Sequence, residues 1–213
     1  MNCDKSIFLL YAVTDRAFTG KQTLEQQIEE ALASGVTLLQ LREKALPEEL
    51  FLEEALRVRR ITERYGVPLI INDNIRIALQ CGADGVHVGQ GDLEAGKARS
   101  LLGPDKILGV TAKTVEQAIR AEAQGADYLG SGAVFPSPTK TDAIPMTRGT
   151  LAAICRAVSI PVTAIGGITA ANVSLLSGSG FAGAAVVSGI FGQDSIAPAV
   201  RTLREKLQKV VQP

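Results

Sequence analysis

A single (β/α)8 barrel is the fold class this sequence predicts, on three observations. Short apolar runs alternate with amphipathic stretches from end to end, eight of each. Gly35, Gly82, Gly125 and Gly180 each close a helical stretch just before an even-numbered strand, a place that favours the residue best able to take positive φ. Val67-Pro68 and Ile160-Pro161 introduce the third and seventh strands, half a ring apart. A repeat of two βα units copied around a ring marks a closed barrel, whereas the open doubly wound sheet typically has about five or six strands. At 213 residues the chain suits one such domain, spanning 1–213 without a linker.

The first strand is expected over Ile7 to Val13. Thr23, with Gln26 three residues on, has the spacing of a capping box and starts a helix that stops at Ser34-Gly35. Val36 to Leu39 then reads as the second strand. Pro47-Glu48-Glu49 opens a helix with proline in the first turn and acids at the N-terminal end, running to Tyr65-Gly66. Pro68 to Ile71 is the third strand, and a short helix after Asn74 reaches Cys81-Gly82. Gly85 to Val88 is the fourth strand, followed by a helix over Leu93 to Leu102. Lys106 to Val110 is the fifth, and Thr114 caps the next helix with Gln117 three residues later. Tyr128 to Gly130 is the sixth, and a long Pro-rich loop precedes a helix over Thr147 to Val158. Pro161 to Ile165 is the seventh, with a Gly-rich turn and a helix cap at Thr169. Gly183 to Val187 is the eighth, and Ser195 to Val211 the last helix.

Composition narrows the function. Lys plus Arg equals Asp plus Glu, so the formal net charge is zero. A nucleic-acid or membrane-surface protein would carry a basic excess, so any anion site here must be built locally. No apolar run reaches the roughly 18 residues of a membrane span, and the N-terminus lacks the pattern of a cleaved signal. Cys3, Cys81 and Cys155 are too few and too scattered for a disulfide framework or a zinc site. A cytoplasmic protein with reduced thiols is the expectation.

In a barrel of this kind the active site lies at the C-terminal ends of the strands, which gives a list of candidates. Gln40, Arg42 and Lys44 follow the second strand. Alternation would set this amide and two cations on one face, a row suited to a multiply charged anion such as a pyrophosphate. The row also fits a solvated charge cluster. Asn72 and Asp73 follow the third strand, and Gln90 and Asp92 the fourth. Adjacent strands lie roughly 5 Å apart, so Asp73 and Asp92 are expected to converge. Two carboxylates among cations suit a hard ion such as Mg2+, although either could instead cap the next helix. Thr111 and Lys113 follow the fifth strand; Ser131, then Ser137, Thr139 and Lys140, the sixth. Gly166-Gly167 and Ser188-Gly189 follow the seventh and eighth, where backbone N–H groups form the usual phosphate site of this fold, unless the glycines serve only tight turns. The 136–142 loop reads as a lid that brings Lys140 onto a phosphate, or else as a plain surface loop. His87, Tyr11 and Tyr128 read as buried packing residues, the histidine hydrogen-bonded.

Taken together, Val13-Thr14-Asp15, Gln40-Leu41-Arg42-Glu43-Lys44, Asn72-Asp73, Gly85 to Asp92, Pro136 to Lys140 and Ile165-Gly166-Gly167-Ile168 resemble the thiamine phosphate synthase family in content and order, over nearly the whole chain. The resemblance implies a (β/α)8 enzyme that joins hydroxymethylpyrimidine diphosphate to a thiazole phosphate, or to its carboxylated form with loss of CO2, and releases pyrophosphate. It implies pyrimidine diphosphate contacts from Gln40, Leu41, Arg42, Glu43, Lys44, Asn72, Thr111 and Lys140. Of these, Arg42, Lys44, Thr111 and Lys140 would be catalytic. It implies one Mg2+ on Asp73 and Asp92, and a thiazole phosphate site from Ser137, Thr139, Gly167, Val187 and Ser188. Thr111 stands where that family usually has Ser, which keeps a hydroxyl. Lys113 replaces a more familiar His or Asn. The implied partners are these two small molecules and no nucleic acid or membrane, with self-association left open. The rival readings are a thiazole tautomerase, a non-catalytic phosphate-binding barrel, and another phosphate-handling isomerase.

Overall fold

Strands of four or five residues, apolar on both faces, need cover on both sides and no open edge. The structure, a computed structural model, describes residues 4–20, 22–136 and 146–211. Strands β1 (Leu10–Val13), β2 (Leu38–Leu41), β3 (Leu69–Asn72), β4 (Gly85–Val88), β5 (Ile107–Thr111), β6 (Tyr128–Gly132), β7 (Val162–Ile165) and β8 (Gly183–Val186) form a closed parallel barrel in chain order. The ring shuts where Leu10, Tyr11 and Ala12 pair with Ala184, Ala185 and Val186. The helices are α1 (Leu24–Ala33), α2 (Glu48–Tyr65), α3 (Ile75–Gln80), α4 (Ala95–Leu102), α5 (Val115–Ala123), α6 (Arg148–Ala157), α7 (Ser188–Phe191) and α8 (Ile196–Val211).

The period of two along each strand divides the apolar residues into two cores. Tyr11, Leu38, Ile70, Ile107, Tyr128 and Ala185 point inward and pack with Phe8 and Val13. Their neighbours Leu10, Leu39, Leu69, Leu108 and Leu129 point outward and join the buried faces of the helices. The inner cluster fills the barrel floor, so the open space lies at the C-terminal ends of the strands.

Local signals place most boundaries. Thr23 and Gln26 form a reciprocal capping box on α1, and Thr114 and Thr147 each cap the helix that follows. Near the floor, Ala83-Asp84 and Ala126-Asp127 repeat one device. Asp84 accepts from Leu69 N and pairs with Arg59, while Asp127 accepts from Leu108 N and pairs with Arg99. Each carboxylate thus ties the start of one strand to a helix.

Four expectations change. Residues Lys5–Phe8 form a 3-10 turn, so β1 starts at Leu10 instead of Ile7. The second strand runs two residues later than its apolar run suggested, because Val36 N–H is spent on Ala31 O in terminating α1. No α-helix follows β7; a 3-10 turn, Val173–Leu176, takes its place, and Gly180 lies beyond it. The four-residue α7 was not anticipated.

Candidate active site

The later register of β2 decides how its polar row is presented. Gln40 lies on the strand, buried and facing inward, and its Nε2 donates to Tyr11 Oη at 2.6 Å. Arg42 has left the strand; its N–H donates to Thr14 Oγ1 at 2.9 Å and its Nη1 to Asp15 Oδ2 at 3.2 Å. Lys44 reaches the rim, 54% exposed, and its Nζ meets Asp73 Oδ2 at 2.5 Å. Gln40 and Arg42 therefore line the cavity while Lys44 stands above it. Leu41 and Glu43 turn to the helix layer instead. Leu41 is fully buried in the outer core, and Glu43 accepts from Arg16 Nε at 3.2 Å. Asp15 and Arg16, which hold this segment from the β1 loop, were not singled out as functional from the sequence.

Asp73 and Asp92 do converge. Asp73 is the one non-glycine residue with positive φ, 62°, among the described residues, and its N–H donates to His87 O at 2.8 Å. That conformation is uncommon for a residue with a side chain, and here the strand pairing beyond β3 and β4 holds it. Asp73 does not cap the next helix, since Asn74 supplies that cap to Ile77 N. Asp92 accepts from Gly89 N at 2.7 Å and closes its own turn. Burial, and after it the adjacent Asp92 carboxylate, raise the Asp73 carboxyl above its usual range against the opposing pull of Lys44. Two carboxylates pressed together this way are what a small hard cation relieves. Among the described residues no group of three or more His, Cys, Asp or Glu could hold a metal ion. A hard ion on this pair alone would have to take its other ligands from water and substrate oxygens.

Across the mouth, Thr111 ends β5 and its Oγ1 lies 3.0 Å from His87 Nε2. His87 is half-buried and lines the cavity, as do Asn72, Thr111 and Lys113. Gln90 is exposed and bonded to Thr111 O. Ser131 faces away from the mouth, fully buried. Gly167, Val187 and Ser188 line the far wall of the same cavity. Gly166 and Gly167 both have positive φ, and a Cβ on Gly167 would fall 2.2 Å from Pro136 O. Ser137, Thr139 and Lys140, with the proposed lid, lie outside the described residues. Tyr11 and Tyr128, expected only to pack, also bond each other through their hydroxyls at 2.7 Å.

Around one partly apolar cavity the mouth thus places Arg42 and Lys113 on the β2 and β5 side and glycine backbone with Ser188 on the β7 and β8 side, while Lys44 and the Asp73–Asp92 pair stand outside its lining. The described lining contains no cysteine, and Cys81 and Cys155 lie elsewhere. No described helix is long and apolar enough to cross a membrane.

A family model described as thiamine monophosphate synthase matches residues 10–190. The chain is 52% identical over 198 residues to a thiamine-phosphate synthase of Ruminiclostridium cellulolyticum, covering 93% of this chain and 94% of the relative. It is 44% identical to a thiamine-phosphate synthase of Clostridium botulinum, with 97% of each covered. A solved thiamine phosphate pyrophosphorylase from Pyrococcus furiosus superposes with a TM-score of 0.90 at 33% identity, over 98% of this chain and 99% of that one. The chain belongs to the thiamine monophosphate synthase family.

Proposed function

We infer that the chain joins hydroxymethylpyrimidine diphosphate to a thiazole phosphate, forming thiamine phosphate and releasing pyrophosphate. One observation supports this reading beyond family membership: Arg42, Thr111 and Lys113 face Gly167 and Ser188 across a single cavity, and the Asp73–Asp92 carboxylate pair lies beside it. A tautomerase acting on one phosphorylated ring has no use for the second stretch.

The diphosphate is received by Arg42, Lys44 and Thr111, with Lys140 added from the loop. Gln40 and Asn72 meet the pyrimidine end. Leu41 and Glu43 contribute by setting the course of the backbone, since their side chains face the helices. Gly167, Val187 and Ser188, with Ser137 and Thr139, hold the thiazole phosphate. Asp73 and Asp92 hold Mg2+, which when bound neutralises charge on the departing diphosphate oxygens. The pyrimidine CH2–O bond breaks and its electron pair leaves with pyrophosphate. The aminopyrimidine ring spreads the positive charge left on the methylene, and the thiazole nitrogen then supplies the pair for the new C–N bond. Arg42, Lys44 and Lys140 stabilise charge as it grows on the leaving oxygens, the largest contribution such a site can make. No protein nucleophile is needed. A cytoplasmic setting belongs to this reading, supported by the unpaired thiols of Cys81 and Cys155.

The test is direct. Both substrates are mixed with the protein, with and without Mg2+, and thiamine phosphate is sought. Product formed only with the metal is the expected result, and no product with it overturns the reading. An electron-withdrawing substituent on the pyrimidine should slow turnover steeply; an unchanged rate counts against the dissociative path.

A further inference from the structure

Gln40 and Thr111 sit on β2 and β5, which are not neighbours in the ring. A continuous hydrogen-bonded chain nevertheless joins them through the barrel interior. Gln40 Nε2 donates to Tyr11 Oη at 2.6 Å, Tyr11 Oη meets Tyr128 Oη at 2.7 Å, Tyr128 Oη meets His87 Nδ1 at 3.0 Å, and His87 Nε2 meets Thr111 Oγ1 at 3.0 Å. The two phenols are 1% and 0% exposed. Burial holds the Tyr11 phenol far above its usual pKa, so it keeps its proton. Gly109 makes the chain sterically feasible, because a Cβ there would fall 2.2 Å from Tyr128 Cζ.

Each hydroxyl in this chain carries one proton, and a neutral imidazole carries one. The first donor therefore dictates the rest. With Gln40 Nε2 donating, Tyr11 donates to Tyr128, Tyr128 to His87 Nδ1, and His87 Nε2–H to Thr111. The Thr111 proton is then left to point into the mouth. Gln40 keeps its carbonyl oxygen and one N–H for the ligand. Along these four bonds the alternative order is the complete reverse. It would turn the Gln40 amide over, so that its N–H groups and its remaining carbonyl lone pair face the mouth in exchanged places, and direct the Thr111 proton to His87, leaving lone pairs toward the mouth.

We propose that Tyr11, Tyr128 and His87 are positioning residues that couple the hydrogen-bonding polarity of Gln40 to that of Thr111, so that the mouth selects an aminopyrimidine diphosphate over its oxo counterpart. This rests on the function inferred above. An aminopyrimidine offers an amine donor and a ring-nitrogen acceptor, matching the carbonyl and N–H that Gln40 presents in the first order. A diphosphate is only an acceptor, and it needs the Thr111 proton, which the same order supplies. An oxo ring offers an oxygen acceptor beside a ring N–H donor, the two roles exchanged; it needs the turned Gln40 amide, and that forces the order in which Thr111 turns lone pairs on the diphosphate. The mismatch is thus felt at the leaving group as well as at the ring. At the buried phenols of Tyr11 and Tyr128 such a mismatch is costly, because no water reaches them to repair it.

The experiment compares kcat/KM for the aminopyrimidine diphosphate and its oxo analogue in wild type, Tyr11→Phe and Tyr128→Phe. Phenylalanine keeps each ring's packing and removes the link. The expected result is a preference for the amino substrate that falls by about tenfold or more in either variant, in line with loss of one buried hydrogen bond. A Gln40→Ala, Thr111→Val double-mutant cycle gives a second reading in the otherwise native chain. The double loss should differ from the product of the single losses by about tenfold. Wild-type turnover with a preference unchanged in both variants, or a cycle multiplicative within about twofold, overturns the coupling while leaving the function standing. No turnover by wild type overturns both. A purely structural role for the tyrosines would lower stability without moving the preference.

Discussion

Lys44 Nζ lies 2.5 Å from Asp73 Oδ2, and the same oxygen accepts from Asn72 Nδ2 at 2.6 Å. One carboxylate thus gathers an ammonium from beyond the end of β2 and the amide of the residue before it while pressing against Asp92. Its ionised form is disfavoured by burial, so removing the charge should leave the fold intact. Asp73→Asn is expected to lower kcat/KM by about 10²-fold or more, on the scale of losing one charge-stabilising group at a reacting centre. Its thermal midpoint should stay at or slightly above that of wild type. Near-normal turnover at saturating Mg2+ would remove Asp73 from the metal site.

A second carboxylate pair stabilises the fold in a pH-dependent way. Glu54 and Glu43, with side chains 5% and 3% exposed, share Arg16 Nη2 at 2.6 and 3.1 Å. Burial, opposed by the Arg16 hydrogen bond and reinforced by Glu43, raises the Glu54 carboxyl above its usual range. A raised folded-state pKa means the native protein binds the proton more tightly than the unfolded chain. The associated stability is full below the unfolded value of about 4.3 and is lost as pH rises through the folded one. Glu54→Gln fixes the protonated shape at every pH. Its melting temperature relative to wild type should therefore climb between acid and mildly alkaline buffer, and thermal melts giving a flat or falling difference would refute the assignment.

Most of the barrel was legible because its signals are local. The capping box at Thr23, the helix cap at Thr114 and the glycines before β2, β4 and β6 all act within a few residues. The rim list followed from strand ends, and it placed Asp73 beside Asp92. Two kinds of feature escaped. Val36 looks like the start of a strand, yet its backbone finishes the preceding helix, so the apolar pattern alone set β2 two residues early. The Tyr11–Tyr128 bond joins residues 117 apart, and only closure of the ring brings them together. Alternation does predict that both face inward; it does not predict that their hydroxyls meet.

Gly109 tests that closure. Alanine there would put a methyl 2.2 Å from Tyr128 Cζ and 2.4 Å from its Oη. The phenol has nowhere to move, since it packs 4.8 Å from the Phe8 ring and is fully buried. Gly109→Ala should cost about 1–3 kcal/mol in urea unfolding, the usual scale of overpacking a filled core. Activity should fall as well, because Thr111 is two residues further along the same strand. A variant as stable as wild type would mean that the barrel floor has slack the packing does not suggest.

Gly167 separates the two halves of the mouth. Its φ of 62° is strained for alanine, and a Cβ would fall 2.2 Å from Pro136 O and 2.8 Å from Phe135 Cβ. Gly167→Ala must therefore push Phe135-Pro136 aside or tilt its own N–H away from the cavity. Either shift reaches the proposed thiazole phosphate site first, because Gly167, Val187 and Ser188 line that wall while Arg42 and Thr111 line the other. The KM for the thiazole phosphate should rise about tenfold or more, as expected when a hydrogen bond to a charged oxygen is lost. The KM for the pyrimidine diphosphate should stay within about twofold, well under the effect of one such bond. Steady-state kinetics with each substrate varied in turn makes the comparison. An equal rise in both constants would merge the two anion sites into one and reject the assignment of Gly167 to the thiazole side.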